Sequence, residues 1–305
     1  MPTRFYAIVD FIRLTRPVFL LGGILLYGVG LAIAVIQGAK INVGHALIGQ
    51  LVVSTIQLMA QYANEYYDIE GDRLNAQGRT LFSGGSGVLP AGNIKPKVVL
   101  TATYICASLA CLLIVVTIYI NPLAGTIAIL ALLGSWFYSA PPVALMGTGW
   151  GELTTSLIVA LLVPLTGYVL QTSHVESFMF VICLPLVLIH WTMLIAFELP
   201  DYEADRRVEK LTQTVRLGLH ATLILHSTLI SLALIIVIVL VVIITVYARY
   251  LWLVIPLLIW QGVFYGLSSK MRHSKLRMNI LTTGAVVMFS LATLLTLIGL
   301  VIPGP

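Results

Sequence analysis

The sequence predicts an all-α fold: a multi-span transmembrane bundle of nine helices, N-terminus inside and C-terminus outside. Three observations carry that prediction. Hydrophobic residues make up 59% of the 305 residues and charged residues only 10%, and the mean hydropathy is +1.01, too apolar for a water-soluble domain. Polar breaks divide the chain into nine stretches, each near the roughly 20 apolar residues that one helical crossing needs. With the N-terminus inside, 15 of the 17 Lys and Arg fall on the inner side and only Lys40 and Arg249 on the outer, the asymmetry expected of cytoplasmic loops.

The stretches run 18 to 36, 45 to 64, 97 to 118, 122 to 138, 151 to 170, 177 to 197, 219 to 246, 250 to 268 and 279 to 301. "TRP" at 15 to 17 opens the first, with Pro17 suited to a first helical turn. That run has full span length and lacks a short apolar region followed by a small-residue cleavage site, so it is expected to remain as a helix. Asn121-Pro122 is either a break between two spans or a kink, and Arg249 is a thin boundary between the seventh and eighth. No short alternating segments of a barrel occur. The net charge of +5 follows from the topology, and no nucleic-acid partner is expected. Cys106, Cys111 and Cys183 lie in apolar spans without metal-ligand spacing and read as small buried hydrophobes.

Nine of the 12 acids lie in two clusters: Glu65, Asp68, Glu70 and Asp72, then Glu198, Asp201, Glu203, Asp205 and Glu209. A shift of 133 residues superposes E-x-x-D-x-E-x-D-R on itself. The chain is therefore expected to be a single domain, 1–305, of two parallel pseudo-repeats, with acidic motifs at 64–73 and 197–206. Four spans separate the motifs, so both end on the inner face and can converge. Asn64, Asp68 and Asp72 are four apart and share a helical stripe, as do Asp201 and Asp205. Like charges at that spacing repel, and a divalent cation relieves both repulsion and desolvation. Carboxylates without nearby Cys or His favour hard ions, and Mg²⁺ commonly binds through one or two carboxylates plus phosphate oxygens.

Several other residues have two readings. Arg16 is either an interfacial anchor or a ligand for an anion. The long loop from Tyr66 to Lys97 carries "GRTLFSGGSGVLPAG", which lacks the G-K-[ST] of a phosphate loop; it is a flexible lid with Arg79 at one end, or an anion-binding nest. Tyr138 and Ser139 in "WFYSAPP" end the fourth span, where aromatic belts are common. His190 reads as a hydrogen-bonded core histidine ahead of a ligand or base. No Ser/His/Asp order, zinc spacing or dinucleotide fingerprint occurs.

N-x-x-x-D-x-x-x-D at Asn64, Asp68 and Asp72, with D-x-x-x-D at Asp201 and Asp205, resembles the UbiA family of intramembrane prenyltransferases. "TRP", "YSAPP" and "DYEADRRVEKLTQTVRLG" extend the resemblance over nearly the whole chain. It implies nine helices around a central cavity open to the cytoplasm, and two Mg²⁺ ions on a polyprenyl diphosphate held by Asn64, Asp68, Asp72, Asp201 and Asp205. Arg16, Arg73, Arg79, Tyr138 and Ser139 would then contact the diphosphate. "YSAPP" through "GTGWGELTTSL" is similar to the branch that prenylates a dihydroxynaphthoate in menaquinone biosynthesis, which implies an aromatic acceptor and a prokaryotic cell membrane. Membrane lipid is the remaining expected partner, and the sequence carries no mark of oligomeric state. Three alternatives stay open: a non-aromatic lipid-precursor acceptor, a cation-coupled transporter with repeated halves, and a phosphatidyl-type alcohol transferase.

Overall fold

A computed structural model describes residues 4–243, 251–268 and 274–301. Among them every regular element is helical: α1 Arg4–Leu14, α2 Pro17–Ile36, α3 Val43–Tyr67, α4 Ile69–Leu74, α5 Pro96–Ile120, α6 Pro122–Ser139, α7 Gly151–Leu157, α8 Val163–Thr172, α9 Ser177–Arg207, α10 Gln213–Ile243, α11 Leu251–Ser268 and α12 Lys275–Val301. A π-helical turn, Ile158–Leu162, joins α7 to α8 into one span. Eight helices among the described residues are long and apolar enough to cross a membrane. The expected span at 250 to 268 is α11, whose apolar part, Val254–Gly266, is shorter than the others. The boundary at Arg249, and the charges Lys270 and Arg272, lie outside the described residues.

Local chemistry sets the breaks. Asn121 is extended (φ −154°, ψ 105°), and its side chain accepts the Ala124 N–H at 3.0 Å, capping α6. Asn121-Pro122 is therefore a true break between α5 and α6. α10 bends at Gly218, where φ is +76°, a value glycine adopts without steric penalty. α1 was not anticipated: it is too short to register as a span, and its exposed Tyr6, Ile8 and Ile12 beside Arg13 suit an interfacial helix.

Large apolar side chains cover the outer faces, as on α5 with Ile105, Leu112 and Val115, because lipid, unlike water, does not repel them. Cys183 is buried as expected, whereas Cys111 faces outward on α5 and Cys106 is half-buried. Inside, small residues let backbones close in. A Cβ on Gly30 would lie 1.9 Å from the Pro164 carbonyl oxygen, and one on Gly167 would lie 2.9 Å from that of Tyr27. This crossing of α2 with α8 anchors a core that continues through α9 and α12.

Candidate active site

α3 ends at Tyr67, and Asp68 (φ −98°, ψ 9°) both closes it and opens α4. The expected continuous stripe thus stops at Asp68, and Asp72 stands on a separate short helix that packs against α9. The turn stays coupled, since the Asp72 N–H reaches the Asp68 carbonyl at 3.0 Å. The second motif needs no such break. α9 runs through Pro200 to Arg207, leaving Asp201 and Asp205 one turn apart on one face.

The loop that follows each motif braces the other. Asn75, just past α4, donates through Nδ2 to Asp201 Oδ1, and the Gly84 N–H donates to Asp201 Oδ2 at 3.2 Å. From the other side, Lys210 Nζ lies 2.6 Å from Asp68 Oδ2 and 3.6 Å from Asp205 Oδ1. Burial works against the Lys210 ammonium, but Asp68 and Asp205 outweigh it and hold its pKa well above the usual lysine value. Burial, then the charges of Asp68 and Glu65, push the Asp72 carboxyl up to about 8. Asn75 and Lys210 escaped the sequence reading because neither lies on the repeated phrase.

Glu65, the first acid of the phrase, is buried and accepts from Arg16 Nη2, from the Ser86 N–H at 2.7 Å and from Ser86 Oγ at 2.6 Å. Its repeat counterpart Glu198 accepts the Thr214 N–H at 2.8 Å. Each repeat thus uses its leading glutamate to tie down the segment after its motif, the glycine-rich loop at Ser86 in the first and the start of α10 at Thr214 in the second. Arg16 itself has φ +41°, a strained value for a side-chain-bearing residue, held by the ion pair with Glu65.

The glycine-rich loop sits on the acids. Gly84 and Gly85 have φ of +73° and +65°, and a Cβ on Gly85 would lie 1.9 Å from Asp72 Oδ2. Two of its N–H groups, those of Gly84 and Ser86, already serve carboxylates, which leaves fewer for an anion nest.

These elements enclose a cavity of about 290 Å³. One end is polar, with Arg16, Asn64, Asp68, Asp72, Asp201, Asp205, Lys210 and Tyr138 in its wall. The other is an apolar passage past Leu26, Val52, Ile56 and Ile158. Phe19, Phe82, Phe197 and Phe289 stand around it, with Phe19 at 6.0 Å from Phe82 and 6.2 Å from Phe197. Of the residues anticipated from sequence, Arg73 points away, half-exposed and 3.1 Å from Glu70. Arg79 lies in an adjoining hollow beside Arg16 and donates to the Ser86 carbonyl at 2.7 Å. Ser139 is buried outside the cavity lining, its Oγ without a hydrogen-bond partner among the described residues.

The wall offers oxygen ligands, and Lys210 shows that the gap between Asp68 and Asp205 accepts a cation. Among the described residues no three His, Cys, Asp or Glu converge tightly enough to hold a metal alone. Carboxylates spread over two walls suit an ion that takes one or two of them and completes its shell with ligand oxygens.

Fold and site define the class: a helical membrane protein with an acid-walled cavity that opens into an apolar passage. The UbiA prenyltransferase family matches residues 25–280; the chain belongs to that family and is a prenyltransferase. Solved structures agree on the fold. A UbiA homolog from Archaeoglobus fulgidus bound to DMAPP and Mg²⁺ is 20% identical, with 93% of this chain and 98% of that chain covered and a TM-score of 0.69. A digeranylgeranylglyceryl phosphate synthase is 20% identical, with 97% and 99% covered and a TM-score of 0.64. A UbiA homolog from Aeropyrum pernix K1 is 12% identical, with 90% and 96% covered and a TM-score of 0.64. No curated protein matches the sequence significantly. Family membership sets aside the transporter and the phosphatidyl-type transferase.

Proposed function

We propose that the protein transfers a polyprenyl group from an allylic polyprenyl diphosphate to an aromatic, quinone-precursor acceptor, with Mg²⁺ as cofactor. The observation that carries this reading is the pair of carboxylate walls, from motifs 133 residues apart, facing each other across Lys210 at the mouth of an aromatic-lined apolar passage. Asp68, Asp72, Asp201 and Asp205, with Asn64, are the groups that would hold Mg²⁺. The ion would neutralise the leaving diphosphate. Arg16 and Lys210 supply fixed positive charge at the same end. The aromatic faces of Phe19, Phe82, Phe197 and Tyr138 steady the allylic cation, and the enclosed wall keeps water from it. We read the chain as one domain of two parallel repeats, with the acidic mouth on the cytoplasmic side because Lys and Arg concentrate there.

A second acceptor has its own support. The fold match to a digeranylgeranylglyceryl phosphate synthase favours a glyceryl phosphate that already carries one chain. Purified protein offered geranyl diphosphate, Mg²⁺ and both acceptors decides by mass spectrometry. A prenylated dihydroxynaphthoate supports the first reading and a diprenylated glyceryl phosphate the second. Product formation that persists in excess EDTA refutes the metal.

A further inference from the structure

One part of the cavity wall lies beyond the donor machinery. Glu152 and Ser156, one turn apart on α7, face His190 on α9. Ser156 Oγ donates its single proton to the Glu152 carbonyl at 2.7 Å and also stands 3.0 Å from His190 Nδ1. With the Ser156 hydroxyl donating to the Glu152 carbonyl, the imidazole donates in the second contact through Nδ1, and that assignment leaves Nε2 an acceptor. Phe289 closes over the ring edge-on at 4.8 Å. Glu152 is 5% exposed, its carboxyl stands within side-chain hydrogen-bond reach of Glu198, and Oε1 accepts the Gln213 N–H at 3.4 Å. Glu152 and His190 both line the cavity. The π turn that follows Ser156 is a feature often found at functional sites.

A buried wall with more acceptor than donor positions is complementary to a ligand that brings donors. We propose that Glu152 and His190, coupled through Ser156, form the acceptor subsite and bind the prenyl acceptor through its hydroxyl groups. Both acceptor classes named above carry hydroxyls, so the chemistry is common to them. Glu152 lies nearer the diphosphate end, since its neighbour Glu198 is less than one turn from Asp201; His190 lies two turns deeper.

The allylic C–O bond breaks with its electron pair on the diphosphate. On an alcohol, the hydroxyl oxygen closes the new C–O bond and its proton passes to Glu152. On a dihydroxyarene, a ring carbon closes the new C–C bond, the hydrogen bond to Glu152 raises the electron density of the ring, and the ring proton passes to the released diphosphate.

The proposal rests on the prenyl-transfer reading, and its test separates the two. Donor affinity is measured as binding of geranyl diphosphate with Mg²⁺, and acceptor kinetics are measured with a dihydroxynaphthoate and with a monoprenylated glyceryl phosphate. Glu152→Gln keeps the contact to Gln213 and should lower kcat/KM for the acceptor about 100-fold, with donor Kd changed less than twofold. His190→Asn keeps a partner for Ser156 but removes the group at Nε2. It should raise acceptor KM about tenfold at nearly constant kcat, and His190→Gln, which restores an amide near Nε2, should recover KM. The acceptor that shows these effects is the one the subsite serves. Unchanged acceptor kinetics in both Glu152→Gln and His190→Asn, or a loss of donor affinity in step with turnover, overturns the subsite. Wild-type protein that binds the donor yet prenylates neither acceptor also overturns it; wild-type protein that binds no donor overturns the prenyl-transfer reading instead.

Discussion

Lys210 donates to Asp68 across 142 residues of sequence, at 2.6 Å. The contact links the loop after the second motif to the first motif, and Asn75 returns the link to Asp201. Neither acidic wall is charge-neutral alone, so the two repeats stabilise each other in the ligand-free state.

Because Lys210 and a divalent cation compete for Asp68, removing the lysine should tighten metal binding while harming turnover. In Lys210→Met, Mn²⁺ affinity measured without diphosphate is expected to rise about tenfold and prenyl transfer to fall about 10 to 100-fold. Weaker Mn²⁺ binding in the variant would show that the lysine supports the metal instead of standing in for it.

The four aspartates should act as one unit. Asp68→Asn and Asp201→Asn are each expected to cost about 100-fold in transfer, and the double variant scarcely more, because both grip the same diphosphate. Glu70 and Glu203 are exposed, and their Gln variants should be mild. A Glu70→Gln loss as large as that of Asp68→Asn would place the metal elsewhere.

Asp72 sets a pH dependence. Its ordinary value is 3.8 and its folded value about 8, so between roughly pH 4 and 8 the folded state holds a proton that the unfolded state has lost. Ligand-free stability should therefore fall as pH rises through that window and level off above it. Metal binding needs the ionised carboxylate, so Mg²⁺ affinity should rise over the same window with proton release. Calorimetric titration in buffers of different ionisation enthalpy measures that release, which Asp72→Asn should reduce.

The loop 79–92 is held by Glu65 and fitted to Asp72 at Gly85. Gly85→Ala places a methyl group against Asp72 at a backbone angle disfavoured for alanine, and is expected to weaken donor binding at least tenfold. Hydrogen exchange across the loop should slow when geranyl diphosphate and Mg²⁺ bind the wild-type protein. Equal exchange with and without saturating ligand would make the segment a linker.

Arg16 and Arg73 should separate. Arg16 pairs with buried Glu65, whereas Arg73 pairs with exposed Glu70, an arrangement worth little in water. Arg16→Ala should abolish donor binding and lower thermal stability; Arg73→Ala should leave both nearly intact, and an equal donor-affinity loss in the two would bring Arg73 into the site.

The sequence by itself determined the helical membrane architecture, the positions of most spans and the two acidic motifs. Each is written in local currency: about 20 apolar residues fill a bilayer, and E-x-x-D-x-E-x-D-R repeats without reference to the fold. It did not reveal that α3 breaks at Asp68, that Asn75 and Lys210 brace the opposite motif, that Glu65 and Glu198 tie down the segments after their motifs, or that Arg73 turns outward. Those were decided by tertiary structure. Burying several carboxylates in one cavity is tolerable only where hydrogen bonds or cations arrive to meet them, and those partners come from residues 5 to 142 positions away whose local sequence carries no record of what they will face.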